Sequence, residues 1–384
     1  MLNRRLFLQM SGASLAATLA ASGVAFAGAP TDSRFVFIFL RGGLDGLHAL
    51  IPYADTDFQR LRPRLAPGAE ERVDLDGYFA LHASLGGLMP LWRAGELALI
   101  PAATTRYRNR SHFDGQNLLE NGTARPFGAR DGWLSRAILG LNAGDRRLGL
   151  TLGPALPLIL QGGAPVQAWT NAQLPDLDED FLTRLAIVYR DDPLFATALG
   201  NAANSPEPMM GANPPDNGFL LSATAAADLL SRPEGPRIAV MDLNGWDTHA
   251  NQTGRLRGLL DLLAQGILTL RAGLGAEWSR TVVMVASEFG RTAAENGGGG
   301  TDHGTGGLAI LAGGAVRGGR ILGDWPGLSP TALNDERDVR AVNAYEAIFK
   351  AVLIGHLGLD PGYAERVVFP DSGLLAPFPG LLRV

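Results

Sequence analysis

Short apolar runs alternate with amphipathic stretches along this chain. Residues 35–40, 97–100, 238–241 and 282–286 contain only apolar side chains, a pattern typical of strands buried on both faces of a parallel sheet. Residues 256–274 repeat leucine and isoleucine at helical spacing, which predicts a long amphipathic helix. Strands that alternate with helices in this way predict an α/β fold with a mostly parallel central sheet flanked by helices.

Helical apolar spacing recurs in shorter stretches. It predicts helices in residues 81–92, 111–120, 132–141 and 345–357. Ser111 can cap the second of these helices, and Asp114, three positions on, completes a pair that resembles a capping box. Residues 53–75 are polar and contain prolines, which predicts a surface excursion, and the Pro- and Asn-rich residues 204–217 predict a mobile loop.

Acidic and histidine side chains follow several of the apolar runs. Asp45 comes after the first run, Asp247 and His249 after the third, Glu288 after the fourth, and His303 in the glycine-rich loop beyond it. Ligands of parallel sheets bind beyond the carboxyl ends of the strands, so these side chains are candidates for one site. Carboxylates and imidazoles are the groups that a metal-assisted hydrolase needs there.

Each of these motifs also has a simpler structural interpretation. Asp247 and His249 would point to the same side of an extended segment and could share an ion, but they could equally belong to a surface turn. Glu288 could be an acid at a helix start, favoured by the helix dipole. The glycines around His303 could form a phosphate-binding loop, but their spacing matches neither known pattern, and a flexible lid that carries a ligand histidine fits better. The simpler interpretation of His303 is a loose surface loop.

A second group of candidates would act on the substrate. Ser111 and His112 stand at the start of a predicted helix, where backbone amides favour developing negative charge, so Ser111 could be a nucleophile or merely a cap. Arg291 lies three residues after Glu288 and could pair with it or with an anionic substrate. No Gly-x-Ser-x-Gly elbow joins a predicted strand to a helix, so the sequence lacks this mark of a serine-triad hydrolase.

The composition limits the chemistry further. A formal net charge of -5 argues against a nucleic-acid partner. The chain has no cysteine, which excludes disulfides, thiolate metal ligands and a cysteine nucleophile. Lys350 is the only lysine, so any cationic group in an active site must be an arginine, a histidine or a metal ion.

The N-terminal segment has the features of an export signal. Arg4 and Arg5 form a twin-arginine pattern, and a mild apolar stretch then leads to a small-x-small cleavage site at residues 25–27. The alternative is an N-terminal membrane anchor, but the apolar stretch is short and rich in Ser and Gly. We therefore expect residues 1–27 to be a removed signal and residues 28–384 to form a single domain, periplasmic or secreted, without a stable membrane span.

Five short motifs lie at the candidate positions: residues 41–47 (RGGLDGL), 110–114 (RSHFD), 246–249 (WDTH), 287–292 (SEFGRT) and 301–304 (TDHG). Together they resemble the twin-arginine-exported proteins of the domain-of-unknown-function family 1501. That family is placed in the alkaline-phosphatase-like superfamily, with the phosphatases, sulfatases and phosphoglycerate mutases. The resemblance extends over most of the chain, about residues 34–360.

The resemblance implies an alkaline-phosphatase-like fold and a metal-dependent hydrolase of phosphate or sulfate esters. Carried over residue by residue, it implies one or two divalent ions, zinc, manganese or calcium, held by Asp45, Asp247, His249, Glu288 and His303. The substrate would be a small-molecule or polymer ester.

The catalytic residues expected on this hypothesis are Ser111, His112 and Arg291. Ser111 or a metal-bound water would attack the ester, and Arg41, Arg110 or Arg291 would neutralise the developing negative charge. The alternative is a non-catalytic periplasmic binding or assembly protein on a decayed hydrolase fold. It is motivated by Phe289, which stands where members of the superfamily usually have a histidine, and by the two-position spacing of Asp247 and His249, which is shorter than in the phosphatases.

Overall fold

The computed structural model describes residues 32–141, 148–153, 155–170, 218–373 and 375–383. The expected signal segment, residues 1–27, and the expected loop at residues 204–217 lie outside these ranges. The strands are β1 (Arg34–Arg41), β2 (Leu50–Ile51), β3 (Arg72–Asp74), β4 (Ala80–His82), β5 (Leu97–Thr104), β6 (Gly149–Leu152), β7 (Val166–Trp169), β8 (Ile238–Asn244), β9 (Thr281–Ser287), β10 (Gly307–Ala312), β11 (Arg320–Ile321) and β12 (Asn343–Ala344).

The helices connect these strands and cover the sheet. The α-helices are α1 (Gly46–Ala49), α2 (Phe58–Leu61), α3 (Met89–Arg93), α4 (His112–Asn121), α5 (Trp133–Gly140), α6 (Gly218–Ser231), α7 (Gln252–Leu274), α8 (Tyr345–Gly355) and α9 (Pro361–Tyr363). Shorter 3-10 turns are Ala69–Glu71, Ala83–Leu88, Leu158–Leu160 and Gly275–Arg280, and Ala364–Val368 is a π-helical turn.

Nine of the described strands form one sheet in the order β11-β5-β10-β9-β1-β8-β6-β7, with β12 beside β5. The central strand β1 runs parallel to β8 and β9, and Phe37 aligns with Val240 on one side and Met284 on the other. Strand β10 runs antiparallel to both β5 and β9. The predicted α/β fold with a mostly parallel sheet is therefore confirmed, with β10 as the exception.

Alternating side chains of β1 supply the two cores on either face of the sheet. Val36, Ile38 and Leu40 lie in one core with the apolar face of α7, whereas the phenylalanines of β1 lie in the other with α5 and α8. In the second core the ring centroids of Phe37 and Trp133 are 6.1 Å apart, and the ring planes are nearly perpendicular. Burying each such large apolar side chain stabilises the fold by about 1.5–3 kcal/mol.

Helix α7 shows how composition alone can mislead about the environment of a helix. By length and composition, Gln252–Arg280 is apolar enough to cross a membrane. In the structure Leu256, Leu260, Leu263 and Ile267 are fully buried in the core beneath the sheet. The apolar face of this helix is thus used for packing inside the protein.

Most of the predicted helices and strands are present, but the helix predicted at residues 81–92 is not. Helices α4, α5, α7 and α8 and strand β5 are found where the apolar spacing predicts them. Residues 81–92, in contrast, do not form one helix. Leu81 pairs with Leu50 in a small three-stranded sheet, and the imidazole of His82 then accepts a hydrogen bond from the Ser84 amide at 3.1 Å, which starts a 3-10 turn. The leucines of this stretch are buried as predicted, although the backbone differs.

Candidate metal centre

The candidate site lies at one edge of the sheet, where parallel strands end and the antiparallel strand begins. Loop residues 245–251 follow β8, and residues 288–306 join β9 to β10. Because β10 runs against its neighbours, its amino end lies at the same edge as their carboxyl ends. Residues 105–111 follow β5 and lead into α4 at this edge as well. The topology therefore brings three distant loops together.

Three imidazoles and one carboxylate converge at this edge. The Nε2 atom of His303 lies 2.9 Å from Nε2 of His112, 3.0 Å from Nε2 of His249 and 3.1 Å from Oδ1 of Asp247. The same Asp247 oxygen lies 3.1 Å from Nε2 of His249 and 3.4 Å from Nε2 of His112. Ligand atoms of a tetrahedral ion with bonds of about 2.0–2.1 Å are separated by about 3.3–3.4 Å, close to these distances.

The second ring nitrogen of each histidine has its own acceptor. Nδ1 of His112 is 2.8 Å from Oε1 of Glu288, and Nδ1 of His249 is 3.1 Å from Oδ1 of Asp302. Nδ1 of His303 donates to the backbone carbonyl of Arg110 at 2.9 Å. A neutral ring that donates from Nδ1 presents a lone pair at Nε2. The Nε2 atoms of His112 and His249 therefore each lie 2.9–3.4 Å from Nε2 of His303 and Oδ1 of Asp247, an arrangement of lone pairs that a shared cation stabilises.

Glu288 lies behind the cluster and orients His112. The carboxylate is fully buried, and its Oε1 also accepts from the Gly42 amide at 2.9 Å and from the Gln116 side chain at 3.0 Å. Burial acts to raise the pKa of Glu288, but the hydrogen bonds from His112 and Gln116 outweigh it and the pKa is lowered. The same contact with Glu288 raises the pKa of His112.

The buried side chain of Arg291 holds Asp247 in position. Its Nη1 donates to Oδ1 of Asp247 at 2.7 Å, and its Nη2 donates to the carbonyl of Thr301 at 2.8 Å. Burial acts to raise the pKa of Asp247, but the Arg291 guanidinium, with help from His249 and His112, outweighs it and lowers the pKa to about 2. Asp247 is consequently ionised throughout the neutral range and supplies the negative charge that a divalent cation requires.

A glycine allows the loops after β1 and β8 to approach each other closely. Gly42 has a φ of +122°, and a Cβ atom added there would lie 2.5 Å from the backbone nitrogen of Asp247. Any larger residue would therefore displace Asp247 and would also strain the backbone. Gly42 thus allows Asp247 to take its place in the cluster.

A family model described as a protein of unknown function, DUF1501, matches residues 107–359. The chain belongs to this family. The match includes all four donor residues of the cluster and also Glu288, Arg291 and Asp302. Among curated proteins, none matches this DUF1501 chain by sequence.

Several solved structures are similar to the DUF1501 chain. One is Ps i-CgsB in complex with k-i-k-neocarrahexaose, with 12% identity, a TM-score of 0.42 and coverage of 87% of this chain and 76% of that one. Another is the alkaline phosphatase from the Antarctic bacterium TAB5, with 13% identity, a TM-score of 0.34 and coverage of 74% and 91%. A third is a putative sulfatase from Bacteroides thetaiotaomicron, with 8% identity, a TM-score of 0.38 and coverage of 74% and 65%.

Two of the residues predicted to hold metal in the DUF1501 chain lie outside the four-donor cluster. Glu288 faces His112, as described above. Asp45 is fully buried, and its two oxygens accept hydrogen bonds from Arg62 at 2.7 and 3.0 Å. Gln252 donates to the same carboxylate at 2.6 Å. The Asp45 carboxylate is therefore directed at Arg62 and Gln252, and the structure does not bring it to the three histidines.

The residues predicted to act on the substrate also have other partners. His112 joins the donor cluster itself. The backbone amide of Ser111 donates to the Tyr107 hydroxyl at 3.2 Å, and its side chain forms no capping hydrogen bond, so the predicted capping pair with Asp114 is wrong. Asp114 instead accepts from the Tyr107 hydroxyl at 3.1 Å.

The three arginines considered for charge neutralisation are all paired with acids. Arg291 binds Asp247, Arg110 binds Asp338, and Arg41 binds Glu120 and Asp242. Each of these guanidinium groups is therefore already engaged by a carboxylate of the protein.

Sequence reasoning missed several residues that support the cluster. Asp302 was recognised only as part of the 301–304 motif, and Gln116 and Asp338 carry no pattern that marks them in a single sequence. Arg62 was assigned to a surface excursion, although Phe58, Leu61 and Leu65 recur around it at helical spacing and Phe58 and Leu65 are buried. That spacing is a signal that could have predicted a buried turn there.

Proposed function

We propose that this protein is an exported, metal-dependent hydrolase of phosphate or sulfate esters. The observation that carries the proposal is the convergence of His112, Asp247, His249 and His303, with an acceptor behind every imidazole. Such outer partners are typical of metal-binding histidines, because they fix the tautomer and raise the basicity of the ligand. The two ester classes come from the motif resemblance and define the substrates to be tested first.

We propose zinc as the ion, and one ion per chain. Three imidazole nitrogens and one carboxylate oxygen suit zinc, whereas calcium prefers six to eight oxygen ligands. Among the residues that the structure describes, His112, Asp247 and His303 form the cluster that could hold a metal. We propose His249 as a fourth donor, because its Nε2 lies 3.0 Å from that of His303. A second ion would need Asp45 and Glu288 as ligands, and these two are engaged elsewhere.

The substrate would approach from the side of Asp247 and His249. Both side chains remain 44% exposed, whereas Glu288 and Arg291 close the opposite side. When bound, the ion supplies Lewis-acid chemistry to an ester oxygen. Arg291 holds Asp247 ionised, and Glu288 holds His112 with Nε2 directed into the cluster. These residues keep the donors preorganised, so that little rearrangement accompanies binding.

A non-catalytic binding or assembly protein is the second candidate, and one observation favours it. Four protein donors can fill the tetrahedral shell of zinc, as they do in structural zinc sites, whereas catalytic sites keep a position open. On this alternative the ion would stabilise the three loops, and the exposed side of the cluster would contact a partner.

Ester hydrolysis by the zinc-loaded mature protein tests the choice between these candidates. We would measure the turnover of aryl phosphate and aryl sulfate esters by the wild type, by His303→Ala and by His356→Gln. His356 is a matched control because its Nε2 contacts the carbonyl of Arg34, at a distance from the cluster. Turnover that is lost only in His303→Ala supports the hydrolase. A zinc-loaded wild type without turnover on either ester class contradicts it and favours the binding protein.

We also propose export through the twin-arginine pathway to the periplasm or the exterior, with residues 28–384 as one domain. The support is the sequence pattern around Arg4 and Arg5. Replacing both residues by lysine should leave the chain in the cytoplasm, as measured by cell fractionation. Unchanged export of this variant would contradict the proposal.

A further inference from the structure

We infer that Asp338 is a positioning residue that fixes the metal donor His303 through two arginines. The inference rests on the proposed metal centre, but the contacts that carry it do not involve the Nε2 atom of His303, which would bind the metal. Asp338 is one of the charged residues that the structure buries completely, and its two oxygens bind two different guanidinium groups.

The first arm runs through Arg110 to the imidazole ring. Arg110 has a φ of +64°, a left-handed conformation that is strained for a residue with a side chain. Its Nε donates to Oδ2 of Asp338 at 2.8 Å. In this conformation the Arg110 carbonyl accepts from Nδ1 of His303 at 2.9 Å. The ion pair with Asp338 therefore stabilises the strained conformation of Arg110. In that conformation the Arg110 carbonyl accepts from Nδ1 and sets the His303 tautomer.

The second arm runs through Arg337 to the main chain of His303. Nη1 of Arg337 donates both to the carbonyl of His303 and to Oδ1 of Asp338, each at 2.9 Å. One carboxylate thus controls the ring of His303 through Arg110 and its backbone through Arg337. Because the ring and the backbone of His303 are both held, its Nε2 is directed into the cluster.

The segment that carries Asp338 is itself attached to the loop of His303. The carbonyl of Val339 accepts from the Gly306 amide and from the Thr305 hydroxyl, each at 3.0 Å. Asp338 also forms an isolated β-bridge with Thr292. The segment of Asp338 is therefore hydrogen-bonded directly to the loop of His303. Removing the charge of Asp338 should consequently change the position of His303.

The test compares Asp338→Asn with Asp335→Asn, a matched control. Asp335 contacts the same arginine, with Nη2 of Arg110 3.4 Å from its Oδ2, but its side chain is 73% exposed. Asparagine keeps the size of the side chain and removes the charge that holds both arginines. Arg337→Met is a second variant, which removes one arm at a partly exposed position and tests the inference even if Asp338→Asn does not fold.

The first measurement is the tautomer of His303 in the metal-free protein. Isotope-labelled histidine gives nitrogen resonances for the six histidines of the chain, and His303→Gln assigns the relevant pair. At about pH 8, where imidazoles are neutral, we expect the Nδ1–H form in the wild type and in Asp335→Asn. We expect a mixture of tautomers in Asp338→Asn and a smaller shift in Arg337→Met.

The second measurement is zinc affinity by competition with a chromophoric chelator. Loss of an outer partner weakens metal binding by about 10–100-fold, which we expect for Asp338→Asn but not for Asp335→Asn. A wild-type tautomer in both Asp338→Asn and Arg337→Met would overturn the inference. Because the tautomer is read without metal or substrate, a wild type that hydrolyses no ester would contradict the proposed function and leave the role of Asp338 standing.

Discussion

Replacing Asp45 by asparagine should destabilise the protein without removing its metal. Asp45 and Arg62 form an ion pair with both side chains fully buried, and Arg62 also donates to the carbonyls of Thr292 and Ala293. Removing one partner leaves the other charge buried and uncompensated, which costs about 3–5 kcal/mol of unfolding free energy. For a chain of this size, that loss lowers the melting temperature by about 4–7 °C.

The acid dependence of the same variant gives an independent check of this reasoning. Burial acts to raise the pKa of Asp45, but Arg62 outweighs it and lowers the pKa below the usual 3.8. A lowered folded pKa means that the stabilisation is complete above pH 3.8 and is lost as the pH falls through the lowered value. The stability difference between wild type and Asp45→Asn should therefore shrink in strong acid.

Thermal unfolding and metal content of the same preparations provide the assay. Asp57→Asn is the control, because its pair with Arg60 is exposed and such pairs contribute about 0–1 kcal/mol. Folded Asp45→Asn should keep the wild-type zinc content. Loss of zinc from the folded variant would show that Asp45 is a ligand after all, and an unchanged melting temperature would refute the argument from the buried charge.

Three further predictions follow from the geometry of the cluster. Glu288→Gln should weaken zinc binding by about 10–100-fold while the bound stoichiometry at saturation is unchanged, as measured by chelator competition. Zinc affinity should fall as the pH drops through the pKa of His112, because protons compete for Nε2; since Glu288 raises that pKa, the fall should move to lower pH in Glu288→Gln. Gly42→Ala should destabilise the protein by about 1–3 kcal/mol and weaken zinc binding, whereas Gly297→Ala, with no atom within 4 Å of an added Cβ, should do neither.

The elements of the fold could be predicted because buried strands and amphipathic helices leave periodic patterns. The apolar run of β1 needs partners on both sides, and α7 shows one continuous apolar face, so both are visible in the sequence. Residues 81–92 show the limit of this reasoning. Their leucines are spaced as in a helix, but Leu81 gains more by pairing with Leu50, a residue distant in the chain, and no local pattern reports that contact.

The site could be predicted in part for a similar reason. Parallel strands direct their carboxyl ends to one edge, so Asp247 and His249 after β8 and His303 in the loop before β10 were expected at one site. A side chain in such a loop either enters the cluster or hydrogen-bonds to one of its members from outside. Its partners in other loops decide which of the two occurs. His112 was expected to act on substrate and lies in the cluster, whereas Glu288 was expected to be a ligand and lies behind His112, 2.8 Å from its Nδ1. Asp45 was grouped with them because nothing in the sequence reveals its partner Arg62.

The most direct measurement for the central claim is the metal content of the folded mature protein, determined by elemental mass spectrometry on wild type and Asp247→Ala. The four-donor cluster predicts about one equivalent of zinc per chain in the wild type and a large loss in the variant. A correctly folded wild type that binds no metal, even after incubation with zinc, would contradict the account and leave the three histidines and Asp247 as a purely structural cluster.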